Sequence, residues 1–95
     1  MHICEFQDMM KNIYFRRDSD RGIKGTYDWL LEEINELGEA LQRTDKKATE
    51  KEFADVIAWL SSLANLADIN LEKASLEKYP HKCPKCQKAP CECTF

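Results

Sequence analysis

Two acidic motifs hold most of the chemistry available to this sequence: Glu32-Glu33-x-x-Glu36 and, further along, Glu52-x-x-Asp55. On an α-helix, residues three apart lie about 60° apart around the axis, so Glu33 with Glu36, and Glu52 with Asp55, each pair two oxygen donors on one side. Two such pairs face to face make an all-oxygen site. Hard divalent cations, Mg2+ above all or Mn2+ in its place, are held by a few carboxylates together with a substrate's phosphates. The competing explanation is an ordinary charged surface, because a third of the chain is charged, and Thr49-x-x-Glu52 also fits a capping box at a helix start. Position favours the cation. If Leu30, Ile34, Leu37 and Leu41 form the apolar stripe of one helix, Glu33 and Glu36 fall beside that stripe; Glu52 and Asp55 share a side with Trp59 and Leu66. Carboxylates partly desolvated by packing need a cation or a set of donors to compensate them.

The elements that must present these acids follow from apolar periodicity. Ile3, Phe6, Met10, Ile13 and Tyr14 predict a first helix over about residues 3 to 17. Asp18 to Gly25, with two glycines and two aspartates, reads as a loop, and Thr26 as the N-cap of a second helix running to about Arg43. Thr44-Asp45 is a short connection. Phe53, Val56, Ile57, Leu60, Leu63, Ala64 and Ala67 predict a third helix, apolar over half its circumference, and Asn70 caps a short last helix that Pro80 stops. The expected fold is therefore all-α, an antiparallel bundle of four helices. A wide apolar face in a chain of 95 residues, too short for a large core of its own, predicts a homodimer or homotetramer.

Composition narrows the functional classes. No apolar run approaches the roughly 20 residues needed to span a bilayer, and the N-terminus lacks the layout of a secretory signal, so a cytoplasmic protein is expected. A net charge of -3 without a long basic stripe argues against a general nucleic-acid binder.

After Pro80 the chain changes character. Cys83-x-x-Cys86 is the usual first half of a structural zinc site, and Cys91-x-Cys93 can supply the other two thiolates to a tetrahedral Zn2+. Disulfides are disfavoured without a secretion signal, and a redox dithiol without a βαβ pattern. His81 is an alternative ligand. Residues 1–80 thus form a helical domain and 81–95 a cysteine-rich tail. Cys4 reads as a buried small apolar residue.

Trp29-Leu-Leu-Glu-Glu-Ile-Asn-Glu-Leu-Gly-Glu-Ala-Leu41 and Glu52-Phe-Ala-Asp-Val-Ile-Ala-Trp-Leu60 together resemble the EExxE and ExxD motifs of the MazG-like, all-α nucleotide pyrophosphohydrolases. The resemblance covers most of residues 1–80. It implies an oligomeric helical bundle that cleaves nucleoside triphosphates to monophosphate and pyrophosphate, with Glu33, Glu36, Glu52 and Asp55 as the Mg2+ ligands. The chemistry is consistent with this: four carboxylates alone would repel a triphosphate, and a cation among them reverses that sign and lowers the pKa of a bound water. Glu32 either orients or deprotonates that water, or ligates an additional ion, or is a solvated surface acid.

Arg16, Arg17, Arg21, Lys24 and Lys78 are the candidate cations for phosphate. Lys78 lies in the stretch resembling the family's last helix, where a lysine commonly meets phosphate; as a helix-end residue it also complements the dipole. Arg21 sits in the expected loop, which could close over a ligand. Trp29, Trp59, Tyr14 and Tyr27 could stack on a base or pack in the core, and Asn65 could read a base edge. Two other classes compete. A di-iron or di-manganese bundle needs Glu-x-x-His, but the histidines, His2 and His81, lie at the ends. A non-enzymatic adaptor would grip a protein or nucleic acid with the tail and its lysines, Lys82, Lys85 and Lys88.

Overall fold

The computed structural model describes residues 1–94; Phe95, the last residue of the expected tail, lies outside them. Among the described residues the protein is all-helical, with helices α1 (Ile3–Arg43), α2 (Lys46–Leu66) and α3 (Leu71–Lys78). Three helices therefore replace the four expected, and the loop expected over 18–25 is helical. Its glycines and aspartates break the helix at one residue, Gly22, whose φ of 85° and ψ of 171° are non-helical. That conformation is essentially confined to glycine. It divides α1 into limbs 3–21 and 23–43, so the polar run turns the chain without interrupting it for longer. Thr26 is consequently inside the second limb and wholly buried, rather than an N-cap.

Thr44, with φ of 53°, ends α1 in the left-handed conformation common at helix C-termini. Asp45 then caps α2, its Oδ1 accepting from the Ala48 N–H at 3.2 Å. The capping box that competes for Glu52 is not formed: Thr49 is already helical, and its hydroxyl donates to the Asp45 carbonyl at 2.8 Å and reaches the Ala40 carbonyl at 3.4 Å. Glu52 is thus left for another role. Asn70 caps α3 as expected, accepting from the Lys73 N–H at 3.0 Å.

α2 runs antiparallel to the second limb of α1, with Thr49 meeting Ala40 near one end and Trp59 stacking on Trp29 further along. Small side chains sit in this interface: Thr26, Ala40 and Ser61 are wholly buried, and Ser62 and Ala64 nearly so. They let the two backbones approach closely. The first limb crosses the C-terminal part of α2, tied there by Gln7. Its amide Nε2 donates to Asn65 Oδ1 at 2.9 Å and to the Ile69 carbonyl at 2.7 Å, and its Oε1 accepts from the Leu71 N–H at 2.9 Å. Cys4, expected to be buried, is half-buried beside α3, where a hydrogen bond to Glu72 holds its thiol pKa above the ordinary value.

Since a Cβ at Gly22 would be held in a backbone region reserved for glycine, Gly22→Ala is expected to lower the unfolding free energy by about 1–3 kcal/mol in urea denaturation, although open space surrounds the position.

Candidate functional site

Close packing of α1 on α2 brings the acids together. One carboxylate oxygen each from Glu33, Glu36 and Glu52 lie within 4.8 Å of one another. Asp55, one turn beyond Glu52, stands outside that triad but close enough to act electrostatically on both Glu33 and Glu52. Glu33 and Glu52 are half-buried, and the Oε2 atom of each is shielded from solvent with no hydrogen-bond partner. Burial, and then the neighbouring Glu36 and Asp55 carboxylates, push the Glu33 carboxyl up to about 7. The same causes raise Glu52, opposed by the charge of Arg43. Desolvated oxygens of like charge without donors are a liability in a folded protein unless a cation joins them. The donor set, all carboxylate oxygen and open on one side, suits a hard divalent ion. Glu32 is exposed and outside the cluster.

Beside the acids opens a groove of about 390 Å³, lined by Tyr14, Arg17, Arg21, Trp29, Trp59 and Asp55 among others. Asp55, whose charge acts on Glu33 and Glu52, also lines the groove, so the groove lies next to the acids. Trp29 and Trp59 stack with ring centroids 5.7 Å apart and planes 17° from parallel. The Arg21 guanidinium lies over the Trp59 ring at 4.7 Å and donates to Asp18 Oδ1 at 2.9 Å. Cationic fork, aromatic surface and adjacent metal-type acids are what a nucleotide requires.

Residues 21–87, well over half of the chain, match the model of the MazG nucleotide pyrophosphohydrolase domain. The chain belongs to the MazG family. No curated protein matches it. The MazG span contains both acidic motifs, α2 and α3, and extends into the tail far enough to take in Cys83 and Cys86.

Of the residues singled out in the sequence, Glu33, Glu36 and Glu52 converge, Asp55 joins them to the groove, and Arg21 and Trp29 line it. Lys78 and Asn65 are not brought there. Lys78 is exposed at the end of α3, its Nζ 5.8 Å from the Tyr79 ring. The Asn65 amide is engaged with Gln7 on the wall of a separate cavity of about 330 Å³. Sequence reading passed over Asp18, which is buried to 3% exposure. The signal was the Arg17, Asp18 and Arg21 spacing, which puts these residues on adjoining positions of a helix once the loop assignment is dropped.

The tail gathers its four cysteines. Sγ atoms of Cys83, Cys86, Cys91 and Cys93 lie within 4.8 Å of one another, with Cys83 and Cys93 at 3.6 Å and Cys86 and Cys91 at 3.8 Å. A tetrahedral ion with Zn–S of about 2.3 Å places its thiolates about 3.8 Å apart, so the cluster is compatible with zinc. The cysteines are free thiols. Backbone N–H groups of Glu92 and Lys88 lower Cys86 to about 6, those of Cys86 and Lys85 lower Cys83, and hydrogen bonding to the other sulfurs raises Cys93 to about 11.

In buffer without Mg2+ or Mn2+ at a pH above about 7, where the Glu33 carboxyl is ionised, Glu33→Gln removes one of the crowded charges and is expected to raise stability by about 1 kcal/mol, roughly 4–8 °C in Tm for a domain of this size; below that pH the carboxyl is protonated and the gain disappears. Added Mn2+ should raise the Tm of the native protein and leave that of Glu33→Gln unchanged, as read by thermal denaturation.

Proposed function

We propose that this protein is a Mg2+-dependent nucleoside triphosphate pyrophosphohydrolase that converts (d)NTP to (d)NMP and pyrophosphate, clearing the nucleotide pool of the cytoplasm. One observation carries the reading: an acid cluster with two buried oxygens lacking hydrogen-bond partners lies, by way of Asp55, beside a groove lined by arginine and tryptophan. Membership of the MazG family supports it. Glu33, Glu36, Glu52 and Asp55 would hold the cation. When bound, Mg2+ (or Mn2+) supplies neutralisation of the phosphate charge and acidifies water at neutral pH.

The protein's own groups do the rest. Arg21 and Arg17 meet the phosphate chain, and Trp29 offers an aromatic face to the base, since it is 51% exposed although stacked on Trp59. Glu32, the acid outside the cluster and exposed to solvent, accepts the proton of the attacking water. Positioning the water in line with the leaving pyrophosphate accounts for rate without any covalent intermediate.

The same reading has Zn2+ in the cysteine cluster as a structural ion, which requires a reducing compartment. It also has the chain working as a homo-oligomer. Phe53, Ile57 and Leu60 on α2 are each more than 40% exposed, while Met10, Leu30, Ala40 and Ala64 are the buried apolar residues among those described. A second copy covering that face of α2 supplies the core that one chain lacks. Among the described residues no helix is long and apolar enough to cross a membrane.

With a panel of canonical and modified nucleoside triphosphates and Mg2+, the native protein is expected to release pyrophosphate, and Glu36→Gln to lose at least 100-fold in kcat/KM. A chain cut after Pro80 should keep turning over; an adaptor working through its tail would show the reverse dependence. Titrated with Co2+ in place of Zn2+, the tail should give the intense visible and near-ultraviolet bands of tetrahedral thiolate ligation at one equivalent, and Cys91→Ser should weaken them.

A further inference from the structure

The Arg21 side chain is held from several sides. Its Nη1 donates to Asp18 Oδ1 at 2.9 Å and to the Thr26 hydroxyl at 3.3 Å, and its guanidinium lies 4.7 Å from the centre of the Trp59 ring. Asp18 and Thr26 are buried, so these acceptors do not move freely. The aliphatic stem crosses Gly25. A Cβ built on Gly25 would stand 2.8 Å from Arg21 Cγ and 3.6 Å from Cδ. Cγ lies near the root of the side chain, so a contact that short forces the Arg21 stem, and the guanidinium it carries, to shift. Among the described residues the Nε–H and Nη2–H donors of Arg21 have no acceptor, and Arg21 lines the groove that Asp55 shares with the acid cluster.

We propose that Gly25 is a positioning residue: its missing side chain lets Arg21 lie locked against Trp59, Asp18 and Thr26, with the Nε/Nη2 edge preset for bidentate contact with an anionic oxygen pair of the substrate's phosphate chain. The proposal rests on the pyrophosphohydrolase reading and adds to it the residue that orders its phosphate ligand. Arginine loses less freedom per hydrogen bond when its fork is fixed beforehand, so the gain appears in affinity for phosphate. Gly25 is otherwise a poor choice, because glycine inside a helix is about 1 kcal/mol less favourable than alanine.

That opposition gives the test. Trp29 and Trp59 are the protein's two tryptophans, so intrinsic fluorescence reports on the groove. The probe is inorganic tripolyphosphate with Mg2+, which carries the phosphate chain without a base. Gly25→Ala is expected to weaken its binding at least tenfold while Tm stays level or rises. Gly38→Ala makes the same helix-favouring change where a Cβ meets nothing within 4 Å, and should leave the affinity unaltered. Placed on an Arg21→Ala background, Gly25→Ala should have no further effect. Native affinity in Gly25→Ala, or an undiminished additional loss in the double variant, overturns the proposal. Failure of the native protein to bind tripolyphosphate while it still hydrolyses a nucleoside triphosphate overturns the proposal and leaves the hydrolase; absence of hydrolysis overturns both.

Discussion

Crowding of the Glu33, Glu36 and Glu52 carboxyl groups, with oxygens within 4.8 Å of one another on two different helices, is the constraint around which this molecule is arranged. Two of their oxygens are buried without donors. A folded chain tolerates such a cluster only if packing elsewhere holds the helices together and the charge is offset, by a proton on a carboxyl such as Glu33 or by a cation. The holding is visible in the α1 and α2 interface, where Thr26, Ala40 and Ser61 are wholly buried and small enough for close approach. Larger side chains there would separate the helices and with them the acids.

The same interface sets the groove. Trp29 reaches from α1 and Trp59 from α2 to form one stacked pair, and the break at Gly22 turns the first limb of α1 so that Arg17, Asp18 and Arg21 form part of the groove lining. Positive charge is thereby placed beside, but not inside, the acid cluster. An arginine within the cluster would neutralise it; one across the groove leaves the acids free for a cation and, on the proposed reading, meets the substrate's phosphate itself.

Much of this was legible in the residues. The i, i+3 spacing puts Glu33 with Glu36, and Glu52 with Asp55, each on one side of a helix, because helix geometry fixes which side chains share a side; of the four, Glu33, Glu36 and Glu52 converge and Asp55 stands outside the triad. The CxxC and CxC pairs likewise announced a cluster, since short turns bring their sulfurs together. What was not legible depended on tertiary context. Asp18 to Gly25 has the composition of a loop, yet helix continues through it because the buried Asp18 and Thr26 find the half-buried Arg21 as a partner and Gly22 alone absorbs the turn. Thr49 looked like a cap because its sequence spacing to Glu52 was right, but Asp45 stood earlier and took the role. Asn65 carries the right groups to read a base, and only the position of Gln7, distant in sequence, engages them elsewhere.

The most direct test of a cation-completed acid site acting on a triphosphate is to run the reaction in 18O-labelled water, with and without added Mg2+, and locate the label by mass spectrometry. Label in the nucleoside monophosphate, unlabelled pyrophosphate and turnover that requires the cation are the expected result. Release of orthophosphate, or turnover that is the same without a divalent ion, would contradict it.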